Sequence, residues 1–370
     1  MARTPEPPRR PCVLKRSLIV PALLAATIPG LLAPLPVPGS DLAAVYDAAL
    51  SGDMAKGLSI LGSIDPSKLG AKDSTAAACL RRTFTAAPPP EDLPPRSRRI
   101  LQAYRLYWQG AMLRRATTAN AERVLLDSLN AILAPPRGPA ETLDDASERA
   151  RIAIREEGLF ALAGVTSPYY ELMIWKTQNP ATYHVKLPGR AVDVPVVFLD
   201  DFVSLGWAGF ATCGRSHSGG WATKDSLFAL RSAYDLDSEN FRISYLAHEG
   251  THFADYKRYP KLQQPELEYR AKLTELALSE KTTHDLITGF ARRNGPDRSA
   301  PHHFANYWVA TDMSRAVFSS DSLVADPGRW RGVPAKRIRD EAEELIEKND
   351  GKLRKIGASK VERFLDDPAG

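Results

Sequence analysis

Leu246-Ala247-His248-Glu249-Gly250-Thr251-His252-Phe253 is the stretch on which the reading of this chain turns. It carries His-Glu-x-x-His at residues 248–252. On a helix, His248 and His252 lie one turn apart on one face. Two imidazoles so placed can hold one zinc ion, with Glu249 on the flank as base for a metal-bound water. The chain has 7 His in 370 residues. At its His and Glu frequencies the pattern arises by chance in roughly one such chain in 150, so the match is informative. Residues 241–259 contain no proline and one internal glycine. Asp237 or Ser238 suits the N-cap, Glu239 the first turn and Pro260 the stop. Ile243, Leu246, Ala247, Phe253 and Ala254 give the helix a buried side.

On these residues the chain resembles the zincin superfamily of zinc metallopeptidases, over the motif helix and the next helix, about 40 residues. The resemblance implies His248 and His252 as zinc ligands and Glu249 as general base. Phe253-Ala254-Asp255-Tyr256-Lys257-Arg258 follows His252, with no His-x-x-Gly-x-x-His continuation, which argues against the metzincin branch. The gluzincin branch takes its third ligand, a Glu, from a following helix.

Pro265 can open such a helix, with Glu268, Lys272, Glu275 and Ser279 on one polar stripe and Glu266 and Arg270 on a second, nearly opposite. Two polar stripes suggest one facing solvent and one facing something polar inside. The inner stripe is assigned to Glu268 and Glu275. Glu268-Tyr269-Arg270-Ala271 matches the gluzincin-like Glu-x-x-Ala. Simple height favours Glu275, because His252 lies about 10 Å from its helix end, Glu275 about 15 Å and Glu268 about 5 Å into the next. Glu268 is taken as the third ligand, and Glu275 as its partner or replacement. An ordinary Glu268–Lys272 surface pair is the bland reading.

Three protein ligands leave a fourth zinc position for water, whose pKa falls to about 7. Glu249 would take its proton and pass it to the leaving amine of a peptide. Asp255, seven residues after His248, reads either as a carboxylate orienting a ligand imidazole or as a surface or capping residue. A helix from Pro301 puts His303 and Tyr307 on one face. Gluzincin-like enzymes stabilise the tetrahedral intermediate with a His or Tyr from a later helix, so these two are the catalytic candidates beside Glu249. Plain core aromatics are the alternative. Val194-Pro195-Val196-Val197-Phe198-Leu199-Asp200 reads as a strand, and so does Tyr183-His184-Val185-Lys186-Leu187. Gly219-Gly220-Trp221 leading to Leu227-Phe228-Ala229-Leu230 reads as an edge strand or hairpin, or simply a turn. In zincins such a strand accepts an extended substrate. His217 is read as a loop residue and His284 is left without a role.

The fold class expected is α+β, mainly helical, with a small zincin-like mixed sheet packed on the motif helix. Residues 1–39 read as a signal peptide or N-terminal membrane anchor. Arg9, Arg10, Lys15 and Arg16 precede an apolar run over 18–35, and five prolines work against a spanning helix. Residues 17–35 would make any membrane attachment. Residues 40–163 read as a helical domain, with helices over 42–50, 55–61, 97–113, 121–133 and 146–162. Residues 164–290 read as the catalytic core. Residues 291–370 read as a helical region completing it, its tail a charged helix pair over 336–364 broken at Asn349-Asp350-Gly351. Hydrophobic residues make up 44% and charged residues 25%, ordinary for a globular protein. The net charge of +5 is spread without an aromatic-interleaved basic stripe, so nothing specific supports nucleic-acid binding. Of three cysteines, Cys79 and Cys213 form one disulfide in an exported chain or stay as two buried thiols.

The function expected is an exported zinc hydrolase, periplasmic or anchored facing the periplasm, cleaving peptide bonds in a peptide or protein substrate. A non-catalytic zinc-binding envelope module and a zinc amidase acting on cell-wall material are the alternatives. The sequence is silent on cleavage specificity and oligomeric state.

Overall fold

A computed structural model describes residues 42–85, 89, 92–134, 141–223 and 225–367. The expected targeting segment 1–39, its stretch 17–35 and Cys12 lie outside them. Among the described residues no helix is long and apolar enough to cross a membrane.

Six helices come first: α1 (Ala43–Leu50), α2 (Met54–Ser63), α3 (Ala71–Thr85), α4 (Pro95–Met112), α5 (Thr118–Leu133) and α6 (Leu143–Glu156). Local chemistry sets their starts. Asp53 accepts from the Lys56 amide, Thr117 from that of Asn120, and Thr142 with Asp145 forms a capping box. Buried Ile100, Tyr104, Trp108 and Met112 recur every fourth residue and make α4 the central stave. The expected helix over 146–162 stops at Glu156. Gly158 turns the chain with a φ of +83°, and the apolar run after it pairs as a strand instead.

The strands are β1 (Phe160–Thr166), β2 (Tyr169–Leu187) and β3 (Arg190–Leu205), then, after the short helix α7 (Gly206–Ala211), β4 (Gly220–Ala222) and β5 (Leu227–Leu230). Their order is β1-β2-β3-β5-β4, antiparallel except for the parallel β3–β5 pair. The β2–β3 hairpin is far longer than the two short strands read from sequence. Pro180 interrupts only the sequence pattern: β1 pairs with β2 no further than Trp175, so residue 180 has β3 on one side alone. The helices α1–α6 share one apolar core with Leu172 and Ile174 of β2 and Trp207 of α7, so helical and sheet regions are packed together.

The rest is helical: α8 (His248–Arg258), α9 (Gln264–Leu278), α10 (Thr283–Arg292), α11 (Pro301–Phe318), α12 (Pro327–Arg331) and α13 (Ala335–Ile356). One core joins α9 to α13, across residue 290. The expected break at Asn349-Asp350-Gly351 does not occur, and α13 runs straight through it. The mixed α+β fold thus places the sheet against the motif helix. Val185, Val194, Val196 and Phe198 pack on Tyr245, Leu246 and Phe253. Gly250 permits this approach: a Cβ there would lie 3.1 Å from Val192 Cγ1 and 3.2 Å from Val194 Cγ2.

A candidate metal centre

The motif is helical, but residues 241–259 do not form one uniform helix. Phe241–Ala247 makes wider π-helical turns that pass directly into α8. Ser238 Oγ accepts from the Phe241 amide at 3.1 Å and caps the start. Glu239, expected to serve this helix's first turn, instead accepts from the amides of Glu280, Lys281 and Thr282 and ties it to the start of α10. Burial opposes its charge, yet these hydrogen bonds and that from the Thr282 hydroxyl hold it down to about 2.

His248, Glu249, His252, Glu268 and Glu275 are all buried. The Nε2 atoms of His248 and His252 face each other at 3.1 Å. Glu268 Oε1 lies 3.3 Å from His252 Nε2, and its Oε2 lies 3.4 Å from His248 Nε2. A tetrahedral centre with metal–donor bonds near 2.0–2.1 Å separates its donors by about 3.3–3.4 Å, so this trio fits with sub-ångström adjustment. Ligating atoms of all three residues lie within 4.8 Å of one another. Glu275 Oε1 lies 2.7 Å from His248 Nδ1; in the neutral ring that hydrogen bond fixes the proton on Nδ1 and turns the Nε2 lone pair toward Glu268 and His252. Buried Glu268 Oε2 and His252 Nδ1 have no aligned hydrogen-bond partner.

The electrostatics favour a cation. Three buried carboxyls, Glu249, Glu268 and Glu275, surround two imidazoles. Burial alone would depress His248, but Glu268 and Glu275 outweigh it and lift the ring to about 10. Burial likewise works against a charged Glu268, and the histidines around it hold its carboxyl well below the usual range. Glu249 behaves differently: burial pushes it up, the two rings pull it partly back, and no hydrogen bond contributes. A carboxyl with a raised pKa and free oxygens is suited to receiving a proton.

Because Glu268 meets both rings and Glu275, two turns on, reaches the earlier His248, α8 and α9 run antiparallel. A height count with level helix ends favours Glu275, but it is Glu268 that meets both rings. The two-stripe reading of α9 needs a larger correction. The Glu266–Arg270 stripe does not face solvent. Arg270 is bound by Asp255, Asn349 and Asp350, while Glu266 is bound by Arg298. Lys272 is also buried, its ammonium 4.9 Å from the Phe290 ring centroid, so no exposed Glu268–Lys272 pair exists. Asp255 touches neither imidazole; Arg270 and Arg190 take its oxygens.

His303 and Tyr307 lie on α11, but they do not line the cleft. His303 is exposed, and the Tyr307 ring packs edge-on to Trp308. The neighbouring His302 is the one turned inward, its Nδ1 2.8 Å from Glu268 Oε2. One residue is 100° on a helix, and nothing in His302-His303 separates the two by composition. His217 stays in its loop with Nδ1 on the Ser218 carbonyl, and His284 binds the Val333 carbonyl. Cys79 and Cys213 are joined as a disulfide across 134 residues of sequence. A narrow cleft opens onto the cluster, lined by Glu249, His252, Glu268 and His302, with Ala222 and Thr223 from the β4 end and with Phe253, Tyr256 and Gln264. Comparison with protein-family models, curated proteins and solved structures gives no match.

Proposed function

We propose that the protein is a zinc-dependent hydrolase of zincin-like, gluzincin-type architecture that cleaves peptide bonds outside the cytoplasm. The observation that carries this reading is the convergence of His248, His252 and Glu268 at tetrahedral donor spacing beside Glu249, at the floor of a cleft. Zinc bound there would polarise a carbonyl and acidify a water molecule. Glu249 takes the water's proton as its oxygen adds to the carbonyl carbon, then gives the proton to the amine nitrogen as the C–N bond breaks. Glu275 holds His248 in the tautomer a ligand needs. The edge strand β4 ends in the cleft, which suits an extended peptide adding alongside it.

The test is metal analysis with a base variant. Purified protein is expected to hold one zinc per chain. Glu249→Gln is expected to keep that zinc and lose hydrolysis of a peptide library by at least about 100-fold. Protein that binds no zinc, or an unimpaired Glu249→Gln, refutes the proposal.

A further inference from the structure

Residue 256 continues the face of α8 that carries residues 248 and 252, one turn beyond His252. The Tyr256 ring lies 6.3 Å from that of His252, and the side chain lines the cleft while remaining 44% exposed. Its hydroxyl accepts a hydrogen bond from Gln264 Nε2 at 3.0 Å. That bond uses a phenol lone pair and leaves the phenol's own hydrogen to give.

Of the other polar groups on the cleft wall, Gln264 gives one amide hydrogen to Tyr256 itself. Thr223 donates its hydroxyl hydrogen to the Ser226 carbonyl. His302 Nδ1 lies 2.8 Å from Glu268 Oε2. Glu249 and Glu268 are acceptors when ionised. Among the described lining residues, Tyr256 presents a hydroxyl that accepts from Gln264 and whose own hydrogen has no protein acceptor.

We propose that Tyr256 is a catalytic residue: its hydroxyl donates to the substrate carbonyl oxygen as that oxygen becomes anionic. The assignment rests on the hydrolase reading above. As water oxygen bonds to the carbonyl carbon, the C=O π pair moves onto oxygen, and the Tyr256 hydrogen bond strengthens there without transferring its proton. The pair returns as the C–N bond breaks, and the proton held by Glu249 goes to nitrogen. Gln264 fixes the direction of the phenol hydrogen by occupying the lone pair behind it. Thr223 and Ala222, at the end of β4, line the same cleft as Tyr256.

The experiment is calorimetric titration of the zinc-loaded full chain with an N-phosphoryl dipeptide, whose anionic tetrahedral phosphorus copies the oxyanion. The matching dipeptide amide, with a flat carbonyl, is the comparison ligand. Tyr256→Phe is expected to weaken the phosphoryl ligand about 100-fold while zinc content and amide binding stay unchanged. Gln264→Leu is expected to fall between the two. Equal phosphoryl affinity in wild type and Tyr256→Phe overturns the role of Tyr256 and leaves the metal site standing. So does a zinc-loaded wild type that ignores the phosphoryl ligand. A wild type that takes up no zinc overturns the hydrolase reading, and this assignment with it.

Discussion

Asp255→Ala tests what holds Glu268 in place. Asp255 and Arg270 have 0% and 2% of their side chains exposed, with Arg270 Nε 2.6 Å and Nη2 3.1 Å from the two carboxylate oxygens. The pair joins α8, three residues after His252, to α9, two residues after Glu268. Breaking a buried pair from one side costs about 3–5 kcal/mol, because the remaining charge keeps its desolvation penalty without its partner. Asp350 Oδ1 stays 2.9 Å from Arg270 and offsets part of that loss, so the lower end, about 3 kcal/mol, is expected. Arg190 also loses its partner, but it is 21% exposed and can rehydrate. The double variant Asp255→Leu/Arg270→Met removes both charges and fills the space with apolar groups. It is expected to recover most of the stability, with a coupling of about 2 kcal/mol between the sites. Urea unfolding of the wild type, each single variant and the double closes the cycle. An Asp255→Ala loss below about 1 kcal/mol, or single losses that simply add, refutes the reasoning.

Gly250→Val forces a branched side chain into Val192 and Val194. It is expected to cost about 2–3 kcal/mol in urea unfolding and to weaken zinc binding in parallel; wild-type stability would contradict the close seating of α8. Reducing the Cys79–Cys213 bond releases a loop spanning 134 residues, for which chain entropy gives about 4–5 kcal/mol, read as a lower urea midpoint with reductant and abolished in Cys79→Ser. Burial lifts Glu171 to about 7, against hydrogen bonds from Thr166 and the Trp207 and Leu172 amides. A raised acid binds its proton more tightly in the folded state, so its stabilisation is full below about pH 4.5 and is lost as pH rises through about 7. The part of the urea midpoint's decline across that window that disappears in Glu171→Gln measures it; identical pH profiles would count against it.

The features that depend on short, periodic spacing were readable in the chain. His248 and His252 at i,i+4 and Glu268 and Glu275 at i,i+7 fall on single helix faces, and the folded chain brings all four side chains together. Features set by distant residues were not readable. Arg270 looked like a solvent-facing charge because its partners Asn349 and Asp350 lie about 80 residues later, and those same bonds carry α13 through a sequence that reads as a break. Residues 159–163 have the composition of a helix end, and only pairing with β2 makes them a strand. His302 and His303 differ by one step of helical phase, which depends on how α11 packs against α9. The helix α3 escaped notice because its alanines and polar residues give a weak apolar stripe.

The enclosure of α9 has a consequence for how the protein is made. Asn349 follows Glu275 by 74 residues in the chain. At ordinary translation speeds of about 5–20 residues per second, the residues of the metal cluster leave the ribosome roughly 4–15 s before the helix that satisfies Arg270. During that interval Arg270 lacks two of its native partners, and α9 cannot be sealed against α13. The His248–His252–Glu268 cluster therefore matures in two steps: the α8–α9 pair can form early, but its geometry becomes rigid only when α13 closes over it. On the zinc reading, chains truncated before residue 349 are expected to exchange zinc faster than the full chain.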